Sequence, residues 1–260
     1  MTTVITVSNN KGGSGKTTVV SNLSYNLAAM GKKVLMIDSD MQINLTRCFD
    51  MDIDSNINLY QALHEEKSFS NFIKQTKYDN LYMIVSDYML SAIDMELVTK
   101  KLKETVFLRS IKPVISSGEF DYIIIDTSPF LGLLNFNILI ASDYVLIPVE
   151  LSSFGIEGLN PLTNFVKEAM IYNEKLKILG IVETKVDNRE STTEDSRKLI
   201  RELFPDTILE SAIPIDINIK KSQFLGKTVG DFQQNSRAAI AYSELAKEVE
   251  KIVVQENNHR

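Results

Sequence analysis

An α/β architecture, with a mostly parallel central sheet flanked by helices, is predicted from three observations. Short runs of β-branched and aromatic residues alternate with helix-period segments along the chain. A glycine-rich turn joins the first of these strands to the first helix. Acidic residues directly follow the apolar runs at 34–37 and 122–125, among others, where open parallel sheets gather ligands beyond the carboxyl ends of their strands. The chain has 260 residues, 44% of them hydrophobic, which is enough to bury one large core. A single domain over 1–260 is expected.

The first strand is expected over 4–8. A helix follows over 16–30, with Val19, Leu23, Leu27 and Met30 at helical spacing and Gly31 closing it. The apolar run 34–37 is a second strand ending in acids, and 81–85 is another after a polar, helix-rich stretch. Runs at 122–125, 144–149 and 178–182 are further short strands, each bounded by turn residues or acids, and together these read as buried central strands. Helical spacing is clearest over 159–172 and 192–203, and 236–254 is a long final helix. No repeat, low-complexity tract or linker interrupts the pattern.

Composition excludes several classes. A single cysteine, Cys48, allows neither a disulfide framework nor a four-cysteine metal or iron–sulfur site within the chain, and fits a reducing compartment. The cytoplasm is expected. There is no run of about 18 apolar residues to span a bilayer, and a strand begins too soon after the N-terminus for a signal peptide. The formal charge of −6 means that any nucleic-acid contact needs a local basic patch.

The chemistry concentrates in Asn10-Lys11-Gly12-Gly13-Ser14-Gly15-Lys16-Thr17-Thr18, directly after the first strand. Glycines let successive backbone N–H groups converge on phosphate oxygens, Lys16 brings a point charge to the β- and γ-phosphates, and Thr17 offers a hydroxyl to Mg²⁺. Asn10 stands where the G-x-x-x-x-G-K-[ST] pattern opens with glycine, and a second lysine, Lys11, follows it. This string resembles the deviant Walker A motif of the ParA/MinD superfamily of P-loop ATPases. The resemblance implies a three-layer P-loop NTPase fold, ATP and Mg²⁺ as cofactors, and phosphate contacts from Lys11, Gly12, Gly13, Ser14, Gly15, Lys16, Thr17 and Thr18. It also implies a homodimer in the ATP state, with Lys11 reaching the phosphates bound by the other subunit.

Two further segments complete the expected site. Asp38-Ser39-Asp40-Met41-Gln42-Ile43-Asn44 is similar to the family's D-x-D-P-Q-G-N switch. By that resemblance Asp40 is catalytic and orients the attacking water, Asp38 supports Mg²⁺ through water, and Asn44 lies near the γ-phosphate. Met41 and Ile43 depart from the pattern, where proline and glycine are usual. Phe120 to Pro129 reads as an apolar strand ending in Asp126, placed to hold a Mg²⁺-bound water, and Thr127-Ser128-Pro129 resembles the start of a second switch. Pro214, in Ile213-Pro214, stands where the family lays a proline against adenine. The residues after it, Ile215 to Asn218, replace the usual R-N-V-R with neutral and acidic side chains.

Resemblance to short ParA proteins implies a slow ATPase stimulated by a ParB-type centromere-binding partner. It also implies nonspecific DNA binding, nucleoid association, and segregation of plasmid or chromosome DNA. The residues expected at DNA are Arg189, Lys220, Lys221, Lys227 and Arg237. Other readings are weighed on the residues. A MinD-like protein would end in a helix with a basic face, whereas Glu244, Glu248, Glu250 and Glu256 make this end acidic, so no membrane partner is expected. Cys48 alone cannot supply a shared iron–sulfur cluster. No tyrosine follows Tyr242, against an autokinase tail. With the P-loop opening at residue 10, no N-terminal helix-turn-helix extension is expected. An ATPase that positions a protein cargo would have the same site, and is the alternative.

Overall fold

The computed structural model describes residues 2–151, 159–187, 192–205 and 207–258. Eight strands form one sheet in the order β3-β4-β2-β5-β1-β6-β7-β8. They are β1 (Thr3–Val7), β2 (Val34–Ser39), β3 (Lys74–Gln75), β4 (Leu81–Ile84), β5 (Tyr122–Thr127), β6 (Tyr144–Glu150), β7 (Lys177–Val186) and β8 (Ile208–Pro214). All neighbours pair in parallel except β3, which runs antiparallel to β4 at the edge. The mostly parallel sheet flanked by helices is thus present as expected.

The three strands that matter most lie together. In β1, β2 and β5 every residue is buried, as continuous apolar runs covered on both faces require. Their register aligns Val7 with Asp126 and Asp38 with Asp126, so the end of the first strand and both acids arrive at one edge of the sheet. Behind that edge runs α1 (Lys16–Ala29), whose Val19, Val20, Leu23 and Leu27 are fully buried. Burying each contributes roughly 1.5–3 kcal/mol, an upper estimate. Gly31, at φ +86°, turns the chain out of α1 toward β2.

One face of the sheet packs α1 against the last helix, Arg237–Asn258, through Leu245, Ala246 and Val249. The opposite face is covered by Leu59–His64, Ile93–Thr99, Val106–Ser117 and Leu133–Ile140. A third apolar cluster sets Leu159–Tyr172 and Ile200 against β6 and β7. The helices 159–172 and 192–203 have the predicted bounds, and most strands extend one to four residues beyond their apolar runs. Two strands were invisible to periodicity. β3 is two residues long, and β8 is an edge strand whose alternation is broken by half-buried residues.

Candidate nucleotide-binding site

The turn between β1 and α1 is built from its own backbone. Gly13 and Gly15 take left-handed conformations, φ +74° and +94°, which only glycine adopts without strain. A Cβ on Gly15 would sit 3.5 Å from the Thr184 side chain, whose hydroxyl donates to the Ser14 carbonyl at 2.9 Å and fastens the loop to β7. At Gly12 a Cβ would meet no protein atom within 4 Å, so the loop encloses open space. Asn9 supports the loop from beneath. Its amide donates to the Pro148 carbonyl at 2.7 Å, and its side-chain oxygen accepts from Lys11 N at 2.8 Å.

The loop faces a cleft of about 700 Å³. Gly12, Gly13, Gly15, Lys16, Thr17 and Thr18 form its floor, and Asp40, Gln42 and Asn44 one wall. Pro129 and Lys185 also reach it, and Arg47, Cys48, Gln223 and Phe224 close the outer side. Lys16 is almost fully buried, with Nζ 3.3 Å from the Lys11 carbonyl. Burial pulls its ammonium pKa down while Asp126 and Asp40 hold it up, and little water surrounds it. Lys11 lies at the rim, its ammonium 3.8 Å from Glu150. Ser14 is buried, and its hydroxyl forms no hydrogen bond.

The three acids are separated by environment. Asp38 is fully buried and accepts three hydrogen bonds, from Asp40 N at 3.1 Å, Thr46 N at 2.8 Å and the Thr46 hydroxyl at 2.7 Å. Burial still pushes its pKa up to about 6 against those donors. Asp126, its neighbour in register, is equally buried, but neither carboxylate oxygen closes a hydrogen bond. Burial and the Asp38 charge raise its pKa well above the carboxylate range, with Thr17 and Lys16 only partly opposing. Such an orphaned pair of oxygens beside a threonine hydroxyl suits an outer-shell Mg²⁺ ligand, because magnesium keeps most of its waters. Thr17 would supply the direct oxygen. Asp40 accepts from Gln42 N at 2.9 Å, its own carbonyl takes the Ser86 hydroxyl at 2.7 Å, and it lines the cleft.

Asn44 opens the short helix α2 (Asn44–Cys48) and is exposed to the cleft. Before it, Ile43 adopts φ +52° although its side chain is buried, so the conformation for which glycine is suited is carried here by a β-branched residue. Met41 is exposed. Cys48 borders the cleft, and burial with the nearby Asp126 and Asp38 charges raises its thiol pKa to about 12, so it is no thiolate.

Other predicted residues lie apart. Asp38, like Asp126, lies beneath the cleft lining, and its oxygens are engaged in holding the switch segment. Pro214 ends β8 opposite Val186 and lies outside the cleft lining. Gln223 and Phe224, which sequence reasoning missed, border the cleft instead, with the Gln223 amide donating to the Thr18 hydroxyl at 3.0 Å. Lys185 was also missed. Its only sequence signal is a lysine at the end of an apolar strand.

Among the residues expected at DNA, Arg189 lies outside the described residues. Lys220 and Lys221 are exposed on the helix Ile217–Phe224. Lys227 is ion-paired to Asp231 at 3.3 Å, and Arg237 donates to the Ile215 carbonyl at 3.2 Å. No helix among the described residues is long and apolar enough to cross a membrane.

Comparison with known proteins agrees with this geometry. The AAA domain family matches residues 2–178. The sporulation initiation inhibitor protein Soj of Bacillus subtilis is 35% identical over 248 residues, covering 95% of this chain and 97% of Soj. The chromosome partitioning protein ParA of Caulobacter vibrioides is 31% identical over 248 residues, covering 95% of this chain and 93% of that protein. Among solved structures, the septum site-determining protein MinD of Pyrococcus horikoshii, complexed with Mg-ADP, superposes with a TM-score of 0.79 at 26% identity, over 97% of this chain and 98% of that one. With a phosphate-cradling loop carrying both lysines, and with these relatives along its length, the chain belongs to the ParA/MinD-type ATPases.

Proposed function

We propose that this protein is a Mg²⁺-dependent ATPase of a single domain. In this reading its ATP-bound form is a homodimer that holds DNA without sequence preference and segregates it with a ParB-type partner. The observation that carries the proposal is the meeting of three separate segments at one edge of the sheet: the glycine loop with Lys16, the switch with Asp40, and Asp126 at the end of β5. The similarity to Soj and to the Caulobacter partitioning protein favours partition as the task.

The residues divide the work. Backbone N–H groups of residues 12–18 and the Lys16 ammonium hold the phosphates, and the dry surroundings of Lys16 strengthen that attraction. Bound Mg²⁺ would neutralise charge on the β- and γ-phosphates, with Thr17 as direct ligand and Asp126 behind a water. Asp40, fixed by Gln42 N and exposed to the cleft, orients water against the γ-phosphate, and Asn44 reads whether that phosphate is present. Positioning and charge neutralisation do nearly all the work in such a reaction, so unaided turnover is slow and a partner completes the site.

A positioner of protein cargo is the second reading. It is favoured by one observation: around the lysines of Ile217–Phe224 the exposed surface is apolar, with Ile217 61% and Phe224 91% exposed. The test uses Asp40→Ala, expected to bind ATP and dimerise without turnover. Random duplex DNA should bind this trapped form. If Lys220 and Lys221 of two subunits make four phosphate contacts, affinity falls on the order of 100-fold between 50 and 200 mM salt. A trapped dimer that ignores DNA at 50 mM salt supports the positioner, and wild-type turnover in Asp40→Ala overturns the role of Asp40.

A further inference from the structure

The segment that follows β8 is fastened to α1 at two points one helical turn apart. At the first, the Gln223 amide donates to the Thr18 hydroxyl at 3.0 Å. At the second, the side-chain oxygen of Asn22 accepts from Val229 N at 2.8 Å, while the Asn22 amide donates to the Thr18 carbonyl at 2.8 Å. Asn22 is buried, and a Cβ on Gly230 would stand 2.8 Å from the Tyr25 ring, so the segment lies close on α1. Gln223 and Thr18 are half-buried, and both line the cleft.

A hydroxyl has one hydrogen and two lone pairs. With Gln223 on the Thr18 oxygen, the hydrogen is left for an acceptor elsewhere. A helical threonine commonly donates to a carbonyl three or four residues back. Here those carbonyls are engaged, Gly15 by Val19 N at 2.8 Å and Ser14 by the Thr184 hydroxyl at 2.9 Å.

We propose that Gln223 is a positioning residue for the nucleotide. Its amide holds the Thr18 oxygen so that the hydrogen points into the cleft and donates to an α- or β-phosphate oxygen, the phosphates that such a glycine loop cradles. Donation to a charged oxygen makes the Thr18 oxygen a better acceptor, so the nucleotide and Gln223 strengthen each other's hold. Gln223 lies on the helix Ile217–Phe224, where Lys220 and Lys221 are exposed. The same bond therefore ties that surface to the occupancy of the cleft, and the tie is reciprocal. The proposal rests on the reading of the cleft as a nucleotide site.

The test is calorimetric binding of ADP with Mg²⁺, because ADP keeps both phosphates and leaves turnover out. Gln223→Met preserves the length of the side chain and removes the donor. The dissociation constant is expected to rise about three- to tenfold, the range of one hydrogen bond. Thr18→Val keeps the shape and removes the hydroxyl; it should weaken binding at least as much, and adding Gln223→Met to it should cost nothing further. A displaced helix, or a direct contact of Gln223 with the nucleotide, would cost the same in both backgrounds. That result overturns the proposal, as does unchanged affinity in either single variant. Hydrogen exchange gives a second readout. At saturating Mg-ADP the amides of 217–224 should slow in the wild type and respond less in Gln223→Met, and an equal response in the two proteins overturns the tie to the outer helix. If ADP does not bind the wild-type protein at all, the nucleotide reading itself fails, a result distinct from these.

Discussion

The floor of the cleft and its outer side are built on opposite plans. At the floor, β1, β2 and β5 are buried throughout, paired in register and backed by α1, and the polar groups they present are few and almost dry. At the outer side, the helix Ile217–Phe224 buries only Ser222 and offers Phe224, Lys220 and Lys221 to solvent. The contrast teaches where charge is expensive. A group at the floor acts on the nucleotide with little screening, and removing it is costly. A group on the outer helix is screened, and its effect is felt through salt.

The largest expected effect comes from the floor. Lys16→Ala should remove ATP binding, with a loss of about 3 kcal/mol or more, because truncating one member of a desolvated charge pair leaves phosphate oxygens without their partner. Titration with a fluorescent ATP analogue measures it. Retention of affinity within tenfold would break the contrast at its strongest point.

Asp126→Asn tests the floor from the side of stability. A carboxylate whose folded pKa is raised binds more protons folded than unfolded, so its stabilising contribution is present below the unfolded value and is lost as pH rises through the folded one. At neutral pH the nucleotide-free protein therefore bears the cost of this buried acid. The amide should raise Tm by about 2–4 °C for each kcal/mol relieved, and the gain should shrink toward pH 4. Turnover with Mg²⁺ should fall in the same variant. A lower Tm at neutral pH would mean that the acid is needed by Lys16 more than burial penalises it.

The smallest effects belong to the outer helix. Lys220→Ala with Lys221→Ala should leave folding and nucleotide affinity alone and lower the slope of log affinity for DNA against log salt by about two for each subunit. An unchanged slope would remove DNA from this surface and leave it to a protein.

The same contrast explains what could be read in the sequence. Local chemistry was legible: the glycine loop, Asp38 and Asp126 are each marked by neighbours in the chain, and the alternation of strands and helices gave the parallel sheet. The contribution of Lys185, Gln223 and Phe224 was not, because it depends on a left-handed residue and on a helix folding back across some 200 residues to meet Thr18. Pro214 rests on resemblance rather than on local chemistry. Resemblance placed it against adenine, and in the fold it closes an edge strand beside the site without lining the cleft itself. Asp38 was expected near the metal by resemblance to the family's switch segment. The structure gives it three donors from the switch itself, a role no spacing rule announces.

Those three bonds have a mechanical consequence. Asp38 grips the amide of Asp40 at one end of the switch and both polar groups of Thr46 at the other, and the Thr46 hydroxyl in turn accepts from Ser86 N beyond β4. The span between is therefore a bridge whose two ends are both held by one carboxylate of β2. Its crown, Met41 to Ile43, is itself tied back to Asp40 through Gln42 N and Ile43 N, and Ile43 holds it bent at φ +52°. A signal from the γ-phosphate would travel through three residues rather than through a loose loop, with a short stroke and little play.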